Sequence, residues 1–219
     1  MSISRDDTSY TSDSKAEWRQ WIYDLLTPSR TRIVDADGNL NYKWVEGVGE
    51  NALTFKQLIN SGKITEDKLI GIDYDVNNIE RSINNIENCR TLFPQSEFYA
   101  TEWMEFCSTY TGNDIAVFIF DFYTSTYGES LKMMLEAALP LLEDCKRYLG
   151  EIVLVVNADI GSAIRFNDGD FDSYAHQLES IFKKSDLMSF KAISIDSSTC
   201  YTYKQSGGST IMASFAIFL

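Results

Sequence analysis

The sequence predicts an α/β fold, a three-layer sandwich on a mostly parallel, seven-stranded sheet with an antiparallel C-terminal hairpin. Three observations predict it. Short apolar runs of strand character alternate five times with helix-period segments over residues 41–184, and such alternation puts helices on both faces of a parallel sheet. Ile115–Phe120 and Ile152–Val156 are apolar throughout, the pattern of strands covered on both faces. The last two strand-like stretches, Phe190–Tyr203 and Ser209–Leu219, are joined by Gln205-Ser206-Gly207-Gly208, and Gly-Gly is hairpin chemistry.

The elements follow in order. Residues 1–13 are polar and are expected to form a flexible tail. Ser14-Lys15-Ala16-Glu17 has capping-box spacing, and Trp18, Trp21, Ile22, Leu25 and Leu26 then recur at helical intervals up to Pro28. That aromatic stripe is read as core packing, with a lid over a pocket as the alternative. Residues 29–40, with Asp37-Gly38, suit a turn or hairpin. A strand at Tyr42–Val45 breaks at Glu46–Ala52. A short helix carrying Leu53, Leu58 and Ile59 follows, with Gly62 past its end. Lys68–Ile72 is the second strand. Val76, Ile79, Ile83 and Ile86 then share one helix face, with Asp75 as cap. Glu97–Ala100 is the third strand, and Thr101-Glu102-Trp103 opens a short helix through Cys107. Ile115–Phe120 ends in Asp121-Phe122-Tyr123. A long helix from about Thr126 to Leu149 buries Leu131, Leu135, Ala138, Leu142 and Cys145, is kinked by Pro140 and ends at Gly150. Ile152–Val156 ends in Asn157-Ala158-Asp159, and a further helix lies near Ser173–Lys184.

The chemistry concentrates in Asn41–Asp75. Gly47-Val48-Gly49-Glu50-Asn51-Ala52 fits the G-x-G-x-x-G/A pattern between a strand and a helix, and Asp73 ends the next strand 24 positions after Gly49. Glycines there let the backbone approach a ligand, and the acid can accept hydrogen bonds from both hydroxyls of a ribose. Glu46 and Glu50 would repel a pyrophosphate and attract a cation. On these residues the chain resembles the class I S-adenosylmethionine-dependent methyltransferases, a Rossmann-like family whose first motif is an acid, one residue, then G-x-G-x-G. Here the acid abuts Gly47, and Asn51 stands at the third glycine. Leu69-Ile70-Gly71-Ile72-Asp73 is similar to the family's ribose-binding strand.

The resemblance implies S-adenosylmethionine as cofactor. It assigns Glu46, Gly47, Gly49, Asn51, Asp73, Tyr74, Glu102 and Trp103 to its binding, with Tyr74 and Glu102 near the adenine. Asp121 is placed as base or substrate ligand and Tyr123 as the group orienting the methyl acceptor, which the sequence does not specify. The [DNS]-P-P-[YF] motif of amino-methylating relatives is absent from Phe120-Asp121-Phe122-Tyr123. Metal-dependent methyltransferases place acids where Asp121, Asn157 and Asp159 stand, but no metal is expected. One alternative is a binding module on the same fold without catalysis. Another is an NAD(P)-dependent oxidoreductase, disfavoured because no tyrosine has the Tyr-x-x-x-Lys partner of short-chain dehydrogenases.

Composition bounds the rest. A chain of 219 residues suits a single domain over 14–219, with 14–40 as its lead-in helix and loop. A net charge of −13 argues against a broad nucleic-acid face. Four scattered cysteines and one histidine, His176, do not make a zinc site and suit a reducing cytoplasm. No signal peptide or apolar membrane run is apparent. Asp168, Asp170, Asp172 and Glu179 have calcium-loop spacing, but Ser173 stands where that turn needs glycine.

Overall fold

The computed structural model describes residues 13–125, 129–162, 200–204 and 210–219. The expected N-terminal tail up to residue 12, the helix near Ser173–Lys184, His176, the acidic spacing at Asp168–Glu179 and the Gln205–Gly208 connection lie outside the described residues.

The elements run α1 (Asp13–Leu25), β1 (Lys43–Gly47), α2 (Leu53–Asn60), β2 (Leu69–Ile72), α3 (Ile79–Leu92), β3 (Glu97–Tyr99), α4 (Trp103–Thr109), β4 (Ile115–Ser125), α5 (Glu129–Leu149), β5 (Val153–Ser162), β6 (Cys200–Lys204) and β7 (Thr210–Phe218). They build one seven-stranded sheet in the order β3-β2-β1-β4-β5-β7-β6. β1 to β5 are mutually parallel, and β7 runs antiparallel between β5 and β6. The predicted sandwich with its closing antiparallel hairpin is thus the observed one. After β1 the chain builds outward to β2 and β3, then returns to lay β4 on β1's other side. That reversal opens a crevice beyond the carboxyl ends of β1 and β4.

Two apolar layers hold the sandwich. On one face Trp18 and Ile22 of α1, Phe55 and Leu58 of α2, and Ile86 and Cys89 of α3 pack on Trp44, Leu69, Val117, Ile119, Val153 and Val155. On the other, Phe106 of α4 and Leu135, Leu142 and Cys145 of α5 pack on Val45, Ile70, Phe118, Phe120, Leu154 and Val156. β4 is buried on both faces from Ile115 to Phe120, which explains its unbroken apolar run. Gly71 is required in β2 by packing, because a Cβ there would lie 2.5 Å from the Phe98 ring. Gly62 and Gly150 take positive φ just past α2 and α5, as a helix-ending glycine does.

Several expected boundaries move. α1 starts at Asp13, so Ser14 lies inside the helix instead of capping it. α3 starts at Ile79, capped by Asn78, whose side chain accepts from the Arg81 amide. Asp75 closes the preceding turn instead, its carboxylate accepting from the Asn77 amide at 2.9 Å. The face turned to the sheet also differs. Ser82, Ile86 and Cys89 face the sheet, whereas Val76, Ile79 and Ile83 are exposed. β3 stops at Tyr99, leaving Ala100 outside. β4 and β5 run on to Ser125 and Ser162, since they pair with each other and β7 continues the ladder. Asp121, Tyr123, Asn157 and Asp159 therefore lie within strands and not in the loops after them.

Candidate active site

β1 delivers Glu46 and Gly47 to the crevice, and the following turn folds against β2, where the Val48 amide donates to the Ile72 carbonyl at 2.8 Å. The turn ends at Ala52, which caps α2 with φ 41° and ψ 52°. Among the described residues it is the one non-glycine with positive φ. The sequence comparison put the third glycine's position at Asn51. The left-handed residue is Ala52, the last position of the G-x-G-x-x-G/A pattern, and Asn51 is exposed beside it. An added Cβ on Gly47 would meet only the Ile72 carbonyl at 3.9 Å and Trp103 Nε1 at 4.0 Å. The backbone is therefore approachable there.

α3 fixes this half of the crevice. Asn88 donates to the Glu50 carbonyl at 2.6 Å, and the Cys89 thiol donates to the Gly49 carbonyl at 3.4 Å. One helical turn earlier, Asn85 donates to Asp73 Oδ2 at 2.7 Å, while the Asp73 amide donates to the Tyr99 carbonyl at 3.1 Å. Asp73 and Tyr74 are half-buried just past β2. Glu102 caps α4 from solvent with no side-chain bond to the helix. Next to it, Trp103 stands edge-on against Phe120 with centroids 4.5 Å apart and forms a wall opposite Gly47.

The other half is a polar row across the sheet. Asp121 pairs in register with Asn157, Asn157 with Ser214, and Ser214 with Tyr201. α1 lies over this row. Trp21 stacks on Tyr201, and Trp18 Nε1 donates to Ser214 Oγ at 2.6 Å. Ser214 Oγ donates to Asn157 Oδ1 at 2.7 Å, and Asn157 Nδ2 donates to Asp121 Oδ1 at 2.6 Å. Each donor thus points toward the carboxylate, which polarises the next bond and fixes Asp121 as an acceptor. Asn157 and Ser214 are fully buried.

Glu46 lies on the same face and is buried. Burial pushes its carboxyl up to about 7, against the pull of hydrogen bonds from Trp44 and Thr54 and of the Arg19 guanidinium, while nearby Asp121 adds to the rise. Trp44 Nε1 donates to Glu46 Oε2 at 3.0 Å. Arg19, on α1, is itself only 8% exposed and donates to Gln57 at 3.4 Å. Trp18 and Arg19 close over Glu46, the glycine turn, Thr54 and Asp121, leaving a cavity of about 20 Å³, room for about one water. A larger groove of about 730 Å³ runs between Cys107–Asn113 and α5. It lies at the end where β4 begins, away from the crevice.

The fold thus brings Glu46, Gly47, Gly49 and Asp121 around one cavity, with Trp103 beside Gly47 and Asp73 and Tyr74 just past the end of β2. The side chains of Tyr123 and Asp159 lie outside the described residues. Among the described residues no cluster of His, Cys, Asp or Glu is placed to hold a metal, and no helix is long and apolar enough to cross a membrane. Burial pushes Cys89, Cys107 and Cys145 up to about 12, so they remain thiols. Sequence reasoning missed Arg19, Asn85, Asn88 and Ser214. Asn85 and Asn88 carried a signal, two amides one turn apart on a helix facing strand ends, but the misplaced start of α3 hid it. Ser214 bonds Trp18 across 196 positions and carried none.

No family model matches the chain, and no curated protein matches it in sequence. Solved structures are similar to it at low identity. A protein assigned as an rRNA-methylase from Clostridium thermocellum is 11% identical over 94% of this chain and 98% of its own, with a TM-score of 0.46. Spermidine synthase from Thermotoga maritima is 15% identical over 90% of this chain and 58% of its own, with a TM-score of 0.48. TrmN from Thermus thermophilus is 10% identical over 83% of this chain and 45% of its own, with a TM-score of 0.44.

Proposed function

We propose that the chain is an S-adenosylmethionine-dependent methyltransferase working in the cytoplasm on an acceptor still to be identified. The observation that supports this most is the buried Glu46 beside Asp121 at the strand-order reversal, above a glycine turn. Two carboxyl groups beside one guanidinium leave this water-poor cleft acidic on balance, which favours a cationic ligand over a pyrophosphate. The residues suit the cofactor chemically. Asp73, oriented by Asn85, presents carboxylate oxygens for ribose hydroxyls, and Tyr74, Glu102 and Trp103 flank the adenine. Gly47 and Gly49 give room for the backbone to approach, and Asn51 borders them. The bound cofactor supplies an electrophilic sulfonium methyl. Asp121, held as an acceptor by Asn157, takes the acceptor's proton, and Tyr123 orients the acceptor.

A second reading, a binding module without catalysis, is favoured by the narrow cavity under α1. Calorimetric titration with S-adenosylmethionine, S-adenosylhomocysteine and NAD tests the methyltransferase reading, which expects both S-adenosyl ligands to bind and NAD not to bind. Silence from both at millimolar concentration, or binding of NAD alone, overturns that reading and leaves a scaffold or binding module.

A further inference from the structure

α1 is tied to the sheet by a contact whose direction cannot reverse. An indole nitrogen donates a hydrogen bond and never accepts one. Trp18 Nε1 donates to Ser214 Oγ at 2.6 Å. The single Ser214 hydroxyl proton therefore points away from α1, to Asn157 Oδ1 at 2.7 Å. That contact fixes which end of the Asn157 amide faces β7, and leaves its Nδ2 facing Asp121 Oδ1 at 2.6 Å. Trp18, Ser214 and Asn157 are all buried. Turning the amide over would deprive the Ser214 proton of this acceptor away from water, which is costly. A carboxylate is stabilised by the N–H it meets there. A proton on the same Asp121 oxygen would meet that N–H head-on.

Resting on the methyltransferase reading, we propose that Trp18 and Ser214 are positioning residues for the proposed base: through the Asn157 amide they hold Asp121 in its charged form, and they do so only while α1 is seated on β6 and β7. Both act through Asn157 and not on the reacting atoms. Trp21, stacked on Tyr201 with ring centroids 5.5 Å apart, seats the same helix on the neighbouring strand. Water gives and takes hydrogen bonds alike. With α1 unseated and water in place of the indole, the row loses its direction, and the amide is free to turn and meet a protonated Asp121. The helix that covers the site thereby sets the charge of its base.

The charge on Asp121 is read from the preference of the site for S-adenosylmethionine over S-adenosylhomocysteine, because the two ligands differ in the charge on sulfur. Of the described side chains lining the cavity with Asp121, only Glu46 of β1 and Arg19 of α1 ionise. Arg19 stays charged throughout, and Glu46→Gln removes the other titration. The preference is measured by calorimetry against pH in the full chain carrying Glu46→Gln, alone and combined with Ser214→Ala, Ser214→Thr or Trp18→Phe. In Glu46→Gln alone the preference is lost as acid protonates Asp121. Ser214→Ala should move that loss up by about one pH unit. Trp18→Phe should move it the same way by less, and Ser214→Thr, which keeps the hydroxyl, should leave it in place. Residues that only support folding would weaken both ligands together and leave the pH of the loss unchanged. That result overturns the proposal, and so does an equal shift in Ser214→Thr. Both failures leave the methyltransferase reading standing, whereas no binding of either ligand to wild type removes both. If Glu46→Gln binds neither ligand, the same comparison is made in the wild-type background. Amide exchange across α1 shows whether the helix stays seated, and if it is lost in Ser214→Ala, Trp18→Phe decides.

Discussion

The two halves of the crevice are built on opposite principles. The half formed by the glycine turn, Asp73 and α3 is half-exposed, local in sequence and held by hydrogen bonds from one helix. The half formed by Asp121, Asn157, Ser214 and α1 is buried and joins elements from both ends of the chain. The first can change with little effect on folding, because its polar groups retain access to water. The second cannot, because each member is the partner on which a buried neighbour depends. The contrast assigns separate consequences to the halves: ligand affinity to one, stability and charge state to the other.

The largest expected effect is a pH dependence from the buried half. Glu46 has a folded pKa raised to about 7 by burial. A raised carboxyl stabilises the folded chain fully below its ordinary value near 4.5 and loses that contribution as pH climbs through 7. Wild type should thus lose on the order of 3 kcal/mol across this interval relative to Glu46→Gln. Urea unfolding of both proteins at several pH values measures it, and parallel curves would contradict the buried placement of Glu46. Next comes Asn157→Ala, which strips Ser214 of its acceptor and Asp121 of its donor. It should cost about 1–3 kcal/mol, and Trp18→Phe less, since Ser214 keeps Asn157.

In the exposed half the same assays should register little. Asp73→Ala should change stability by no more than about 0.5 kcal/mol while weakening S-adenosylhomocysteine by about tenfold or more. A stability loss as large as that of Asn157→Ala would erase the contrast between the halves. The smallest effect is expected at Tyr74. Tyr74→Ala should weaken the same ligand by about 1 kcal/mol through lost stacking, and Tyr74→Phe should not. Equal losses would transfer the role to the hydroxyl.

The same contrast explains what was legible in the sequence. The alternation of strands and helices, the closing antiparallel pair and the acid-tipped strands follow from periodicity and composition, which act over a few residues. The turn from Glu46 to Ala52 and the acid at Asp73 fall within that range. α3 was misphased because Asp75 closes a turn before Asn78 caps the helix, and both residues make equally good caps on paper. The strand expected from the sequence stops at Phe120, before Asp121, because an acid normally leaves a buried strand. Here Asn157 in the next strand accommodates it. Trp18 belongs to the stripe expected to be core and packs there, yet with its neighbour Arg19 it also lines the cavity. A pattern of apolar spacing cannot show what a helix covers.

The central claim is that Glu46 and Asp121 form a buried anionic receptor for a cationic cofactor. A cation beside Glu46 favours its charged form, so binding must lower its pKa and release a proton. Calorimetric titration of S-adenosylmethionine at pH 7 in buffers of different ionisation enthalpy measures that release directly. The account predicts about half a proton released per cofactor bound to wild type, and none from Glu46→Gln. Heats that do not depend on the buffer, or a proton taken up on binding, would contradict it.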